Sequence, residues 1–264
     1  MSPLLALTDV TVTFGGVHAV DHVSLDVEHG SMTGLIGPNG AGKTTLIDAV
    51  TGFVELASGR IDFDGSSIER LPAHRRSWRG LARTFQSLEL LEDLTVRENL
   101  TVAAEMAPWW SALASVARRK AAQRSEAVEI VLASAGLARV ADVVVTELSH
   151  GQRKLVTVAR ALVARPKLVI LDEPAAGLDS GERGVLRRLL VETVEGGTTI
   201  LLVDHDMGLV LEVCDTIWVL DFGSVLSAGP PGEVRKDPRV IEAYLGLAEE
   251  AAADGIEGDG HGAG

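Results

Sequence analysis

With 264 residues, 46% of them hydrophobic, and a formal charge of −13, the chain can build one large domain or a core with a subdomain. The acidic balance excludes sequence-independent nucleic-acid binding, which depends on clustered Lys and Arg. No apolar run reaches the ~18 residues that span a bilayer, the start MSPLLALTDV reads as no secretory signal, and the single cysteine, Cys214, allows no internal disulfide and suits a reducing cytosol.

Residues 4 to 29 alternate apolar and polar around Gly15-Gly16, with Leu7, Val10 and Val12 before the turn and Val20, Val23, Leu25 and Val27 after it, which predicts an antiparallel pair. The apolar run Met32 to Ile36 leads into a glycine-rich loop and a helix from Lys43 to about Thr51. Gly59 to Asp64 reads as another strand. Leu168 to Leu171, Thr199 to Val203 and Ile217 to Leu220 read as buried strands of a largely parallel sheet. Between about 95 and 147 the chain is rich in Ala, Glu and Arg. Val128, Val131, Leu132 and Ala135 fall there at helical spacing and Gly136 acts as a stop, predicting a helical subdomain inserted into an α/β core. Trp109 and Trp110 lie within it, either packing inside the subdomain or meeting a partner. Cys214 reads as a buried small apolar residue. Residues 248 to 264 carry five acids and no Lys or Arg, and read as a disordered solubilising tail.

The chemistry starts at the loop Gly37-Pro38-Asn39-Gly40-Ala41-Gly42-Lys43-Thr44-Thr45. Gly37, Gly40 and Gly42 lack side chains, so successive backbone N–H groups can curl around phosphate oxygens. Lys43 can pair with the β and γ phosphates, the Thr44 hydroxyl can reach Mg²⁺, and the following helix points its positive end at the same anion. The pattern predicts a site for a nucleoside triphosphate. Leu168-Val169-Ile170-Leu171 then runs into Asp172-Glu173, placing two carboxylates at the mouth of the sheet. Asp172 suits Mg²⁺ through its water shell, and Glu173 suits the role of general base toward an attacking water. Leu148-Ser149-His150-Gly151-Gln152 opens a second helix, with Ser149 as N-cap and free N–H groups expected at Gly151 and Gln152. Two anion sites on one chain are explained if two copies face each other head to tail, each completing the other's site.

Over residues 4 to 247 these motifs resemble the nucleotide-binding subunit of an ATP-binding cassette transporter. The family usually has LSGGQ where this chain has LSHGQ, with His150 at the third position and Gly151 retained. The resemblance implies that Phe14 stacks on adenine and that Val20 lines the base. It also implies that Gln86 contacts Mg²⁺ and the attacking water, that Gly177-Leu178-Asp179 meets the opposite subunit, and that His205 touches the γ-phosphate. His18, His22, His29 and His74 match no motif and read as surface residues. Gly80 to Gln86, Pro174 to Asp179, Asp204 to Met207 and Ile241 to Gly246 are similar to the high-affinity branched-chain amino acid importers, the long helical insertion fitting the longer of their two ATPase subunits. Relatives often have Asn at the position of Asp179.

The resemblance implies a P-loop α/β core with an antiparallel subdomain. It implies a cassette over residues 1–247 with helical residues 88–150, and ATP and Mg²⁺ as cofactors. The expected partners are a second cassette, identical or different, sharing both ATP sites, and membrane permease subunits, with the chain peripheral on the cytoplasmic face. Urea or amide import, lipid export, and a soluble ATPase of translation or repair remain the alternatives at this point.

Overall fold

In the computed structural model the residues described are 2–84, 90–105, 125–204 and 207–244. β1 (Leu5–Phe14) and β2 (Val17–Val27) pair antiparallel across Gly15-Gly16, and β3 (Met32–Ile36) feeds the glycine loop and α1 (Lys43–Thr51). β4 (Ser58–Phe63) and the short β5 (Ser66–Ser67) return to the first sheet, whose order is β2-β1-β4-β5. After α2 (Ala73–Trp78) comes β6 (Leu81–Arg83), a three-residue strand too short to show a periodicity in the sequence. The helical part follows as α3 (Val96–Glu105), α4 (helical over residues 125–134) and α5 (His150–Val163). β7 (Leu168–Asp172), α6 (Ser180–Glu195), β8 (Thr199–Val203), α7 (Met207–Val213), β9 (Thr216–Asp221), β10 (Ser224–Gly229) and α8 (Pro231–Val234) complete the order. The second sheet runs β10-β9-β3-β8-β7-β6, parallel except for the edge strand β10, which pairs antiparallel with β9. The predicted strands and the Lys43–Thr51 helix are all present.

The central strands are apolar at every position because each of their faces has its own cover. In β7, Leu168 and Ile170 join the cluster beneath the antiparallel sheet and α1, whereas Val169 and Leu171 join the cluster beneath α5, α6 and α7. In β8, Leu201 and Val203 divide from Ile200 and Leu202 in the same way, following the two-residue alternation of a strand. The second cluster continues without a break into Val96, Leu100, Val128, Leu132 and Val145, so the helical part shares its core with the sheet. Asn99, fully buried in α3, ties the chain there: its Nδ2 donates to the carbonyls of Leu91 and Thr95, and its Oδ1 accepts from Leu91 N–H.

Two further packing details bear on the site. Arg76 in α2 is buried, and its Nη1 donates to the carbonyl oxygens of Ala49 (2.6 Å) and Val50 (2.8 Å), the C-terminal end of α1. Gly34, in β3 just before the glycine loop, lies against α7. A Cβ there would stand 2.5 Å from Val210 Cγ1 and 3.2 Å from Cys214 Sγ. Cys214 is buried, as expected, and burial pushes its thiol up to about 12. We expect Gly34→Ala to overpack the β3–α7 contact and cost about 1–3 kcal/mol. Urea unfolding checks this, with a lower midpoint at an unchanged m-value as the predicted result.

Candidate functional site

Parallel register brings the C-terminal ends of β3, β7 and β8 to one edge. Leu35 lies opposite Val203, and Val203 opposite Asp172. The residues that follow these strands therefore emerge side by side, as in other open parallel sheets. They border a cleft of about 620 Å³ whose walls include Asn39 to Thr45, Asp172 and Glu173.

The phosphate loop is shaped by backbone that only glycine accommodates well. Gly42 is the N-cap of α1 at φ +96°, and a Cβ on it would strike the Ala19 carbonyl; one on Gly37, at φ +154°, would strike the Leu220 carbonyl. No side chain caps α1, so its N-terminal N–H groups face the cleft as an anion-binding end. Lys43 is 8% exposed, and its Nζ donates to the carbonyls of Gly37 (2.6 Å) and Pro38 (2.8 Å). Burial lowers its pKa, opposed by the charges of Glu173, Asp172 and Asp204. Thr44 and Thr45 also border the cleft.

Asp172 is buried at the end of β7. Its carboxylate pairs with Arg83 (Nη2 to Oδ2, 3.2 Å), its N–H donates to Thr84 Oγ1 (3.1 Å), and Arg83 Nη1 also pairs with Asp48 of α1. Burial raises the Asp172 pKa, and Arg83 works against that shift. Glu173 has φ +47°, left-handed backbone that costs a non-glycine residue energy and tends to occur at functional sites. It is held from two sides: its N–H donates to the Val203 carbonyl (2.8 Å), and its own carbonyl accepts from Lys154 Nζ (2.8 Å).

A hard cation suits this cleft. The Thr44 hydroxyl and the Asp172 carboxylate are both oxygen donors bordering it, and Mg²⁺ is commonly held by one or two protein oxygens together with substrate phosphates. Among the described residues no group of three or more His, Cys, Asp or Glu gathers as an all-protein metal site. Gln86 and His205 lie outside the described residues, as do Trp109, Trp110 and residues 248–264.

Ser149, Gly151 and Gln152 do not border the cleft. Ser149 caps α5, but the cap consumes one of the N–H groups expected to be free: Gln152 N–H donates to Ser149 Oγ (3.1 Å) and Ser149 N–H to Gln152 Oε1 (3.1 Å). Asp179 caps α6 through Glu182 in the same reciprocal arrangement. The Glu182 carboxylate lies 3.5 Å from Ser149 Oγ and occupies the space a side chain on Gly151 would need.

Neither Phe14 nor Val20, the two residues expected at the base, is among those bordering the cleft. Val20 is 0% exposed, pairs with Val12 and points into the core beneath the antiparallel sheet, so it does not line the cleft; Val17, His18 and Ala19 do. Irregular register between β1 and β2 shifts which residues of β2 face outward, and a strand places neighbours on opposite faces. His18 is thus a surface residue on the wall of the site. Phe14 sits opposite Val17 at the end of the hairpin and is 53% exposed. Phe222 and Gly223, in the β9–β10 turn, also border the cleft, and sequence reasoning gave them no role. Arg83 and Lys154 were missed as well; each is an ordinary basic residue of a helical or strand segment until the fold brings it to the two acids.

A family model described as "ABC transporter" matches residues 20–176, and one described as "Branched-chain amino acid ATP-binding cassette transporter" matches residues 224–250. The high-affinity branched-chain amino acid transport ATP-binding protein BraF of Pseudomonas aeruginosa is 39% identical over 252 residues, covering 93% of this chain and 99% of the relative. The corresponding LivG protein of Escherichia coli strain K12 is 36% identical with the same coverage. Among solved structures, the ADP conformation of MJ1267, an ATP-binding cassette of an ABC transporter, superposes with a TM-score of 0.80 at 31% identity, covering 93% of this chain and 100% of that one.

The paired acids give a direct test. Arg83→Ala leaves Asp172 and Asp48 without their shared cation, and removing one partner from a buried pair is costly. The expected loss is about 3 kcal/mol of stability, read from urea unfolding. A loss below about 0.5 kcal/mol would place the pair among ion pairs of surface strength.

Proposed function

The chain belongs to the ATP-binding cassette transporter family, and we propose that it is the ATP-hydrolysing subunit that energises an importer of branched-chain amino acids. The observation that carries the catalytic part is the convergence of the glycine loop, Asp172 and Glu173 on one cleft. The cargo rests on the relatives named above and on the match over residues 224–250. Urea or amide import and lipid export use the same engine, and no feature of this chain favours them.

In this reading the triphosphate lies in the loop Gly37, Pro38, Asn39, Gly40, Ala41, Gly42, Lys43, Thr44 and Thr45, with Phe14 on the base. Thr44, Gln86 and Asp172 would hold Mg²⁺, which would supply positive charge to the phosphates. Glu173 takes the proton of the attacking water, a role supported by the doubly tied backbone that fixes the strand end carrying it. Lys43 and His205 stabilise the charge that develops on the transferring phosphoryl group. Lys43 must then exchange its two loop carbonyls for phosphate oxygens.

Ser149, Gly151 and Gln152 act in trans. They belong to the site of a second cassette, identical or different, that closes when ATP bridges the two and opens once the γ-phosphate has left. Permease subunits take up the motion, and the cassette works as a peripheral subunit on the cytoplasmic face of the membrane. No helix among the described residues is long and apolar enough to cross a membrane. The functional unit comprises residues 1–247, with helical residues 88–150 as its inserted part and 248–264 as an acidic tail. No nucleic acid takes part.

Glu173→Gln is expected to bind ATP but turn over at least about a hundredfold more slowly, the scale of a lost general base. Steady-state phosphate release beside equilibrium ATP binding separates the two effects. Near-normal turnover would remove Glu173 from the role. Deleting the chain from its host should abolish uptake of radiolabelled leucine; intact leucine uptake with loss of urea or amide uptake would reassign the cargo.

A further inference from the structure

The β9–β10 turn carries an aromatic ring that the fold leaves unused. Phe222 is 88% exposed, more than any other large hydrophobic side chain among the described residues. It also sits at φ +42°, followed by Gly223 at φ +80°, between the paired residues Asp221 and Ser224. A two-residue hairpin with both φ angles positive favours Asn-Gly, Asp-Gly or Gly-Gly, and a phenylalanine in its first position pays for both the backbone and the exposed ring. Neither turn chemistry nor core packing accounts for this residue.

Its location does. The turn is pinned between two walls of the nucleotide cleft: Asp21 N–H donates to the Gly223 carbonyl (2.8 Å), and Gly223 N–H donates to the Ala41 carbonyl in the phosphate loop (3.1 Å). Phe222 borders the same cleft as Val17, His18, Ala19 and the loop. In the sheet, β9 lies on one side of β3 and β8 with β7 on the other. Glu173 and Phe222 therefore flank the phosphate loop from opposite sides. Once the γ-phosphate points toward Glu173, the base and ribose extend toward the β9 side, where the wall offers an aromatic ring, a valine and an alanine.

We propose that Phe222 is a nucleotide-binding residue whose ring packs against the base of ATP, from a different sheet than the one that carries Phe14. The inference rests on the reading of this cleft as the ATP site. Base–aromatic contact tolerates any base and is strong enough to justify a strained, exposed ring, as ligand clamps often do.

The test uses the full chain, with ATP and inorganic tripolyphosphate as separate probes in titration calorimetry. Phe222→Asn keeps a residue that accepts left-handed backbone and removes the ring; Phe222→Tyr keeps a ring. The proposal expects Phe222→Asn to weaken ATP binding about tenfold, to leave tripolyphosphate binding unchanged, and to leave thermal stability equal or higher. Phe222→Tyr should restore ATP binding. ATP affinity within twofold of wild type in Phe222→Asn overturns the proposal, and so does an equal loss for both probes, which would make the residue a shaper of the loop. Wild-type protein that binds neither probe overturns the cleft reading itself, a result distinguishable from both.

Discussion

The in-register parallel pairing of β3, β8 and β7 is the constraint from which the site follows. None of these strands has more than five residues, yet their alignment brings the glycine loop, Asp172 and Glu173 to the same edge. A slip of one residue in β7 would carry Asp172 to the opposite face of the sheet and exchange the two cores that Leu168 to Leu171 serve. The register is secured because both faces are buried. A shift would trade Leu168 and Ile170 for Val169 and Leu171 between the two cores, so that both close-packed interiors would have to repack at once.

Charge is the second organising term. The chain is strongly acidic, and Asp172, Glu173 and Asp204 all act on Lys43, so an anion entering this cleft meets carboxylates. Three cations make the site habitable. Arg83 binds Asp172 and Asp48, Lys154 binds the backbone beside Glu173, and Lys43 folds over the loop carbonyls. Each has a hydrogen-bond partner already, and of the three only Lys43 borders the cleft itself. Burial lowers the pKa of both lysines, while the neighbouring acids hold it up.

Much of this was legible in the sequence because it is written locally. The strand–loop–helix from Met32 to Thr51 declares itself through glycine spacing and an apolar run, and the Asp172-Glu173 pair through an abrupt change from four apolar residues to two acids. Ser149 as a cap was readable from the residues that follow it. The facing of Val20 was not, because the irregular register of β1 and β2 decides it and register is a property of two strands. The bond that closes Gln152 N–H is a geometric outcome of the capping box. Arg83, Lys154 and Phe222 take their meaning from elements about 90, 20 and 180 residues away in the chain, a separation at which pattern carries no signal. In each case composition named the residue type correctly and tertiary contact assigned its use.

Arg76 shows how far such assignment reaches. Its guanidinium covers the last carbonyls of α1, the helix whose first turn faces the phosphate cleft. Nine residues make a rod of about 13 Å, and a cation at its rear cancels the negative pole there. The front pole then acts on an incoming anion with little opposition from behind. A residue outside the cleft thereby deepens the potential well that α1 offers to an anion.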